Sequence, residues 1–197
     1  MVRTLEKYTT KEMLPDISNY RNVHDIVLII FAILALDTFV LFLTRYFPNI
    51  LGKPLNDWYD RFRLLAVCSD VLIITIGFLI TQILYTHFVT PIFGWNPILF
   101  LGILVLVQAI HDVLFFLFVI EPLPKGHNEM IDVFKEYSKA GAIIIGGDSL
   151  LMLGSALIAF AYKSQPDYIV AISSVVVSYA LTYILYTKPQ GFGSGSV

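Results

Sequence analysis

The sequence contains little charge, and its few charged residues are unevenly spread. Only 14% of the 197 residues are Asp, Glu, Lys or Arg, whereas soluble domains are usually near 25% charged. Between Asp70 and Asp112 no charged residue occurs, and a soluble core in a chain of this size cannot bury so much apolar sequence. The composition therefore predicts a polytopic integral membrane protein whose first partner is the lipid bilayer.

Other absences exclude further classes of function. The net charge of −2 gives a nucleic-acid partner no electrostatic support. Cys68 is the single cysteine, so an internal disulfide and a cysteine-cluster metal site are both excluded. The HExxH, CxxC and Gly-rich phosphate motifs are also missing. The sequence therefore assigns no catalytic residue, and it leaves the identity of any metal or cofactor open.

Five apolar segments are long enough to cross a bilayer, which takes about 20 residues of helix. They lie at about 25–46, 64–86, 97–120, 141–162 and 167–187. Lipid offers no partner to free backbone polar groups, so all five are predicted to be α-helices. The predicted fold class is an all-α polytopic membrane bundle. It occupies residues 24–187, between a polar N-terminal tail at 1–23 and a flexible C-terminal tail at 188–197.

Two of the connections between spans are predicted to be short amphipathic helices in the membrane surface. Their sequences are LNDWYDRF at 55–62 and MIDVFKEY at 130–137. Residues 75 positions apart correspond in the two segments. Trp58, Tyr59 and Phe62 of the first match Val133, Phe134 and Tyr137 of the second. Lys and Arg are concentrated in the loops on this side, which predicts that these helices and the C-terminus face the cytoplasm, with the N-terminus outside.

Similar offsets relate acids inside the spans. Asp37 and Asp112 are 75 residues apart, and Asp70 and Asp148 are 78 apart. The order span, surface helix, span therefore occurs twice, at about 25–86 and about 97–162, and the fifth span is added at about 167–187. Two spans per copy predict a parallel internal repeat about an axis along the membrane normal.

The four acids also share one depth in the membrane. Asp37 and Asp112 lie about nine and eight residues before the ends of their spans, and Asp70 and Asp148 lie about six and seven after the starts. Because consecutive spans run in opposite directions, each carboxylate lies roughly 9–14 Å from the same face. A charge at that depth costs several kcal/mol, so we expect all four to face the interior of the bundle.

Further polar residues are candidates for the same site. His111 precedes Asp112, and Gln108 lies one turn away on the same helix face. Ser69 precedes Asp70 in the second span, and Ser149 follows Asp148 in the fourth. Three Asp and one His suit a hard or borderline cation.

Glycines of the fourth span are predicted to allow close helix packing. Gly146 and Gly147 precede Asp148, and Gly154 follows it.

Three functions remain open. The acids can move protons or cations, which predicts a small transporter or channel. Alternatively, they are polar contacts between helices in a structural or scaffolding membrane protein. A membrane-embedded enzyme is the third hypothesis. A homo-oligomer is expected for the first, because five spans are few for a complete pathway.

The segment HDVLFFLFVIEPLPKGHNEMIDVFKEYSKAGAIIIGGDSLLMLG at 111–154 resembles a group of small, uncharacterised multi-pass proteins encoded by large DNA viruses of algae and protists. The resembling features are His111–Asp112, the turn at Pro122–Pro124, MIDVFKEY and GGDSLLM. The resemblance implies a viral origin and a location in a host or virion membrane, and it implies no activity.

Overall fold

The computed structural model describes residues 14–51, 53–137 and 142–189. In these ranges the secondary structure consists of helices and turns, with no strand. Seven helices are labelled here in chain order: α1 Val23–Tyr46, α2 Lys53–Phe62, α3 Leu64–Leu84, α4 Pro97–Phe115, α5 Glu129–Tyr137, α6 Ala142–Lys163 and α7 Asp167–Ile184. The all-α fold class is therefore confirmed.

Five of these helices are long and apolar enough to cross a membrane, as predicted. Two of the five spans are extended by π-helical turns, at Tyr85–Val89 after α3 and at Phe116–Ile120 after α4. The second span continues to Phe93, beyond its predicted end at residue 86. A short helical turn at Thr90–Phe93 carries it on, because Pro91 stands in the first turn, where its missing N–H is not needed.

The long helices pack as a ring. α1 contacts α3 and α6, and α4 contacts the same two helices from the other side. α7 packs on the outside of this ring, against α1. The core of the ring is apolar and includes the buried side chains of Ile33, Phe78, Leu104 and Met152.

Glycine allows the closest approach between α1 and α6. A Cβ atom placed at Gly154 would lie only 2.9 Å from Cδ2 of Leu36. Gly154 therefore has the packing role that was predicted for it. Gly146 and Gly147 do not, because they are exposed and a Cβ atom at either would meet no heavy atom within 4 Å. They therefore face away from the neighbouring described helices.

The described part of the predicted N-terminal tail packs on the bundle. Ile17 is completely buried, and its carbonyl accepts a 2.7 Å hydrogen bond from Nε2 of Gln82. Nε1 of Trp95 likewise donates to the carbonyl of Leu14. At the same end, Nζ of Lys163 lies 2.7 Å from both carboxylate oxygens of Asp25, which is 1% exposed. An ion pair thus joins the start of α1 to the end of α6.

The short helices α2 and α5 cover the other end of the ring. Trp58 and Tyr59 of α2 are buried, and Trp58 packs against Phe134 of α5 with ring centroids 5.0 Å apart. The segments 55–62 and 130–137 are helical, as predicted. The side chain of Tyr137 lies outside the described residues. Their position in the membrane surface, the internal repeat and the orientation across the membrane stay predictions.

Candidate functional site

A cavity of about 450 Å³ lies among α3, α4 and α6, with α5 at one side. Six of its sixteen lining residues are polar, and the other ten are apolar. The polar six are Ser69, Asp70, Gln108, His111, Asp112 and Asp148. Three of the four predicted acids thus reach one cavity, together with three of the four additional polar candidates.

Asp112 is held within its own helix. Nε2 of Gln108 donates a 2.7 Å hydrogen bond to its Oδ1, because a separation of four residues places both side chains on one face of α4. Nδ1 of His111 lies 3.5 Å from the same oxygen. The other oxygen, Oδ2, is buried and has no hydrogen-bond partner. Asp112 therefore offers a free acceptor atom beside the cavity and makes no hydrogen bond to another helix of the described bundle.

Asp148 of α6 is still less constrained. It lines the cavity, and among the described residues it has no hydrogen-bond partner. It lies within electrostatic range of Asp112 and His111. The neighbouring Ser149 does not line the cavity, and its hydroxyl donates a 2.7 Å hydrogen bond to the carbonyl of Ile145 in the preceding turn.

Asp37 and Asp70, in contrast, are bonded to the short helix α2. The hydroxyl of Tyr59 donates a 2.7 Å hydrogen bond to Oδ1 of Asp37. Nε1 of Trp58 donates a 3.1 Å hydrogen bond to Oδ2 of Asp70. Asp37 is 4% exposed and lies outside the cavity lining, although it is within electrostatic range of Asp70. Two of the four acids thus hold a helix in place.

The acids are not arranged as a metal-ligand set. Within the three described ranges, no group of three or more His, Cys, Asp or Glu side chains is placed to hold a metal ion. The carboxylates are spread around a wide cavity, and direct coordination of one small cation needs oxygen atoms within about 2.0–2.6 Å of it. The hard or borderline cation suggested by the sequence therefore has no ligand set within the described ranges.

One buried cluster had no signal in the sequence. Arg45 is completely buried at the end of α1. Its guanidinium Nη2 lies 2.7 Å from Oδ1 of Asp60, and its Nη1 donates a 2.9 Å hydrogen bond to Oδ1 of Asn56. The only hint was a basic residue at the end of a span, which usually indicates a cytoplasmic loop and not a buried ion pair.

Comparison of the chain with models of protein families, with curated proteins and with solved structures finds no match. The resemblance to viral membrane proteins therefore stays a prediction, as do the host or virion location and the homo-oligomer. The class that the fold defines is a multi-pass, all-α membrane protein with five candidate spans. Its activity has to be inferred from the geometry of its own side chains.

Proposed function

We propose that this protein moves protons or cations across a membrane by way of the acid-lined cavity. The observation that carries this proposal is the convergence of Asp70, Asp112 and Asp148 on one cavity. Two of them, Asp112 and Asp148, form no hydrogen bond between helices of the described bundle. Ionisable groups inside a membrane are costly and usually mark a pathway or a binding site. Acids that make no hydrogen bond to another helix are better explained by such a role than by helix packing.

The side chains around the cavity suit the transfer of a positive charge. Oδ2 of Asp112 can accept a proton or a cation without breaking its hydrogen bond from Gln108. His111 can both accept and donate a proton, so it suits a relay to the adjacent carboxylate. Asp148 and Asp70 continue the series, because each lies within electrostatic range of the next acid.

The cavity is closed toward the end of the bundle that carries Asp25. Along each helix, the residues that follow the acids in that direction belong to the buried apolar core, among them Phe78, Leu104 and Met152. A charge cannot pass this layer while it is packed, because apolar surroundings do not replace the hydration that a charge loses. Transport therefore requires a second conformation in which this layer opens and the opposite side closes.

An internal repeat offers such a change. The ring of contacts supports it, because a twofold axis along the membrane normal would exchange α1 with α4 and α3 with α6. The pair α1–α3 would then become α4–α6, and the pair α1–α6 would become α4–α3. All four of these pairs are in contact. Rocking of one copy against the other is the motion that such repeats commonly allow.

The test is flux into proteoliposomes, measured separately for gradients of protons, Na⁺, K⁺, divalent cations and an organic ammonium ion. Asp112→Asn and Asp148→Asn should each reduce flux by at least about tenfold, because Asn can neither release a proton nor carry a negative charge. Asp57→Asn, at an exposed position of α2, is the matched control and should transport normally. Wild-type protein without flux above empty liposomes for every gradient would contradict the proposal.

A structural or scaffolding role is the second candidate. It is favoured by the hydrogen bonds from Tyr59 to Asp37 and from Trp58 to Asp70, which attach α2 to the spans. If this is the whole function, Asn at Asp37 or Asp70 should preserve it, because an amide oxygen still accepts a hydrogen bond. Nothing in the described residues favours a membrane-embedded enzyme.

A further inference from the structure

We propose that the cavity binds an organic ammonium ion with an apolar body, and that this ligand enters from the lipid. The inference rests on the proposed function, since it names the class of cation that the protein handles. A cavity of about 450 Å³ falls within the range of small-molecule sites, about 300–1,000 Å³. It greatly exceeds the space of one water molecule, about 30 Å³. A proton or a bare metal ion would leave most of it unfilled.

The wall has two chemical parts, and a ligand must match both. Ten of the sixteen lining residues are apolar. They include Phe115 and Phe134, whose ring centroids lie 6.2 Å apart in an edge-to-face arrangement. An inorganic cation gains nothing from most of this wall. A hydrocarbon or aromatic body would bury its surface there, and aromatic faces also attract an ammonium group.

The polar part of the wall contains three carboxylates, which accept hydrogen bonds, so a ligand bound there must supply the donors. Gln108 is only 5% exposed, and its Nε2 is used by Asp112. Its Oε1 points away from Asp112 and toward Gly77, because a carboxylate can only accept. Oδ2 of Asp112 is a buried acceptor without a partner, which is costly. An ammonium group in the cavity would donate hydrogen bonds to the lining carboxylates, and its charge would offset Asp112 and Asp148.

The proposed entry to the cavity is at its side. Val113 and Leu117 line it, yet they are 47% and 46% exposed. Both lie in the third candidate span, so their exposed surfaces face lipid when the bundle lies in a bilayer. An amphiphilic amine partitions into the bilayer before it binds a protein. This entry therefore gives such a ligand direct access at the depth of the acids.

The two proposed copies differ in the donors that their short helices offer to the acids. Tyr59 donates to Asp37, and its counterpart at the constant offset, Phe134, has no hydroxyl and lines the cavity. Trp58 donates to Asp70, and its counterpart Val133 has no donor either. Each acid of the first copy thus accepts a hydrogen bond from its short helix, whereas the acids of the second copy accept none from theirs.

The experiment is equilibrium binding of a dansyl-labelled alkylamine with one free ammonium group to the full chain in phosphatidylcholine nanodiscs. A dansyl-labelled alcohol of equal chain length is the neutral probe, and empty nanodiscs give the lipid background. The amine should bind saturably, and the alcohol should not. Asp112→Asn and Asp148→Asn should each weaken binding by at least about tenfold, while Asp57→Asn leaves it unchanged.

A second variant covers the possibility that an Asn variant fails to fold. Phe134→Tyr adds the hydroxyl that the first copy has, and it should weaken amine binding at least about fivefold without lowering thermal stability. Repeating the assay with phosphatidylethanolamine in the nanodiscs distinguishes the source, because displacement of the probe would assign the site to a lipid amine. Wild-type protein without saturable amine binding, or equal binding by wild type, Asp148→Asn and Phe134→Tyr, would overturn the inference. Ion flux that persists in that case would leave the proposed function intact, so the two failures are separable.

Discussion

The hydroxyl of Tyr59 donates a 2.7 Å hydrogen bond to Oδ1 of Asp37, and both residues are almost completely buried. A short helix outside the ring is thereby tied to an acid in the middle of a span. Tyr59→Phe should destabilise the protein by about 1–3 kcal/mol, because it removes the donor and leaves a buried acceptor unpaired. The measurement is the midpoint of thermal unfolding in detergent.

Tyr168→Phe is the control for this substitution, since Tyr168 is 64% exposed on α7. Its hydroxyl can reach water or lipid headgroups, so its removal should change the midpoint little. Equal shifts in the two variants would show that the contact with Asp37 contributes nothing to stability.

The ion pair between Asp25 and Lys163 should contribute strongly at the opposite end. Lys163→Met leaves the carboxylate of Asp25 buried without its cation, and breaking a buried pair in this way typically costs about 3–5 kcal/mol. The double variant Asp25→Asn with Lys163→Met removes the charge as well, so it should be more stable than the single variant. Chemical unfolding of the two variants measures the difference, and a double variant that is less stable would contradict this account.

A larger residue at Gly154 should force the side chain of Leu36 to move. Gly154→Ala places a methyl group 2.9 Å from Cδ2 of Leu36, and overpacking of this kind costs about 1–3 kcal/mol. Gly102→Ala is the matched control in another span, because nothing lies within 4 Å of a Cβ atom there. That change should be neutral or stabilising, since Ala is the better helix former. Thermal unfolding of both variants tests the pair, and Leu36→Ala should rescue Gly154→Ala.

The spans could be predicted from the sequence because the bilayer imposes one requirement on each of them, about 20 apolar residues in a helix. The same arithmetic predicts a shared depth for Asp37, Asp70, Asp112 and Asp148, and that depth stays a prediction. Which acids are bonded and which are free did not follow. That depends on whether a distant helix places a donor beside the carboxylate, and such pairs have no periodic pattern.

Other features were missed or misread for the same reason. Arg45 looked like a loop charge, and its burial depends on Asp60 and Asn56 reaching it from α2. Gly146 and Gly147 suggested a packing surface, but only the fold decides which face of α6 meets a neighbour. Sequence periodicity gives the face of a helix, and tertiary structure decides what that face touches.

The two sets of acids should separate when stability and transport are measured on the same variants. Asp37→Ala removes the acceptor of the Tyr59 hydroxyl, so we expect a loss of about 1–3 kcal/mol in stability. Asp148→Ala removes an acid that has no hydrogen-bond partner among the described residues. Its unfolding midpoint should match or exceed that of the wild type, because a buried charge without a partner is itself costly.

Transport should rank these two variants in the opposite order. Asp148→Ala should abolish flux of whichever cation the wild type carries, because its carboxylate lines the cavity. Asp37→Ala should retain flux per folded molecule to within about threefold, since Asp37 lies outside the lining. Thermal unfolding and proteoliposome flux on one preparation of each variant give both quantities. If Asp148→Ala lowered stability and kept its flux, Asp148 would be a structural contact, and the division between anchoring and cavity-lining acids would be wrong.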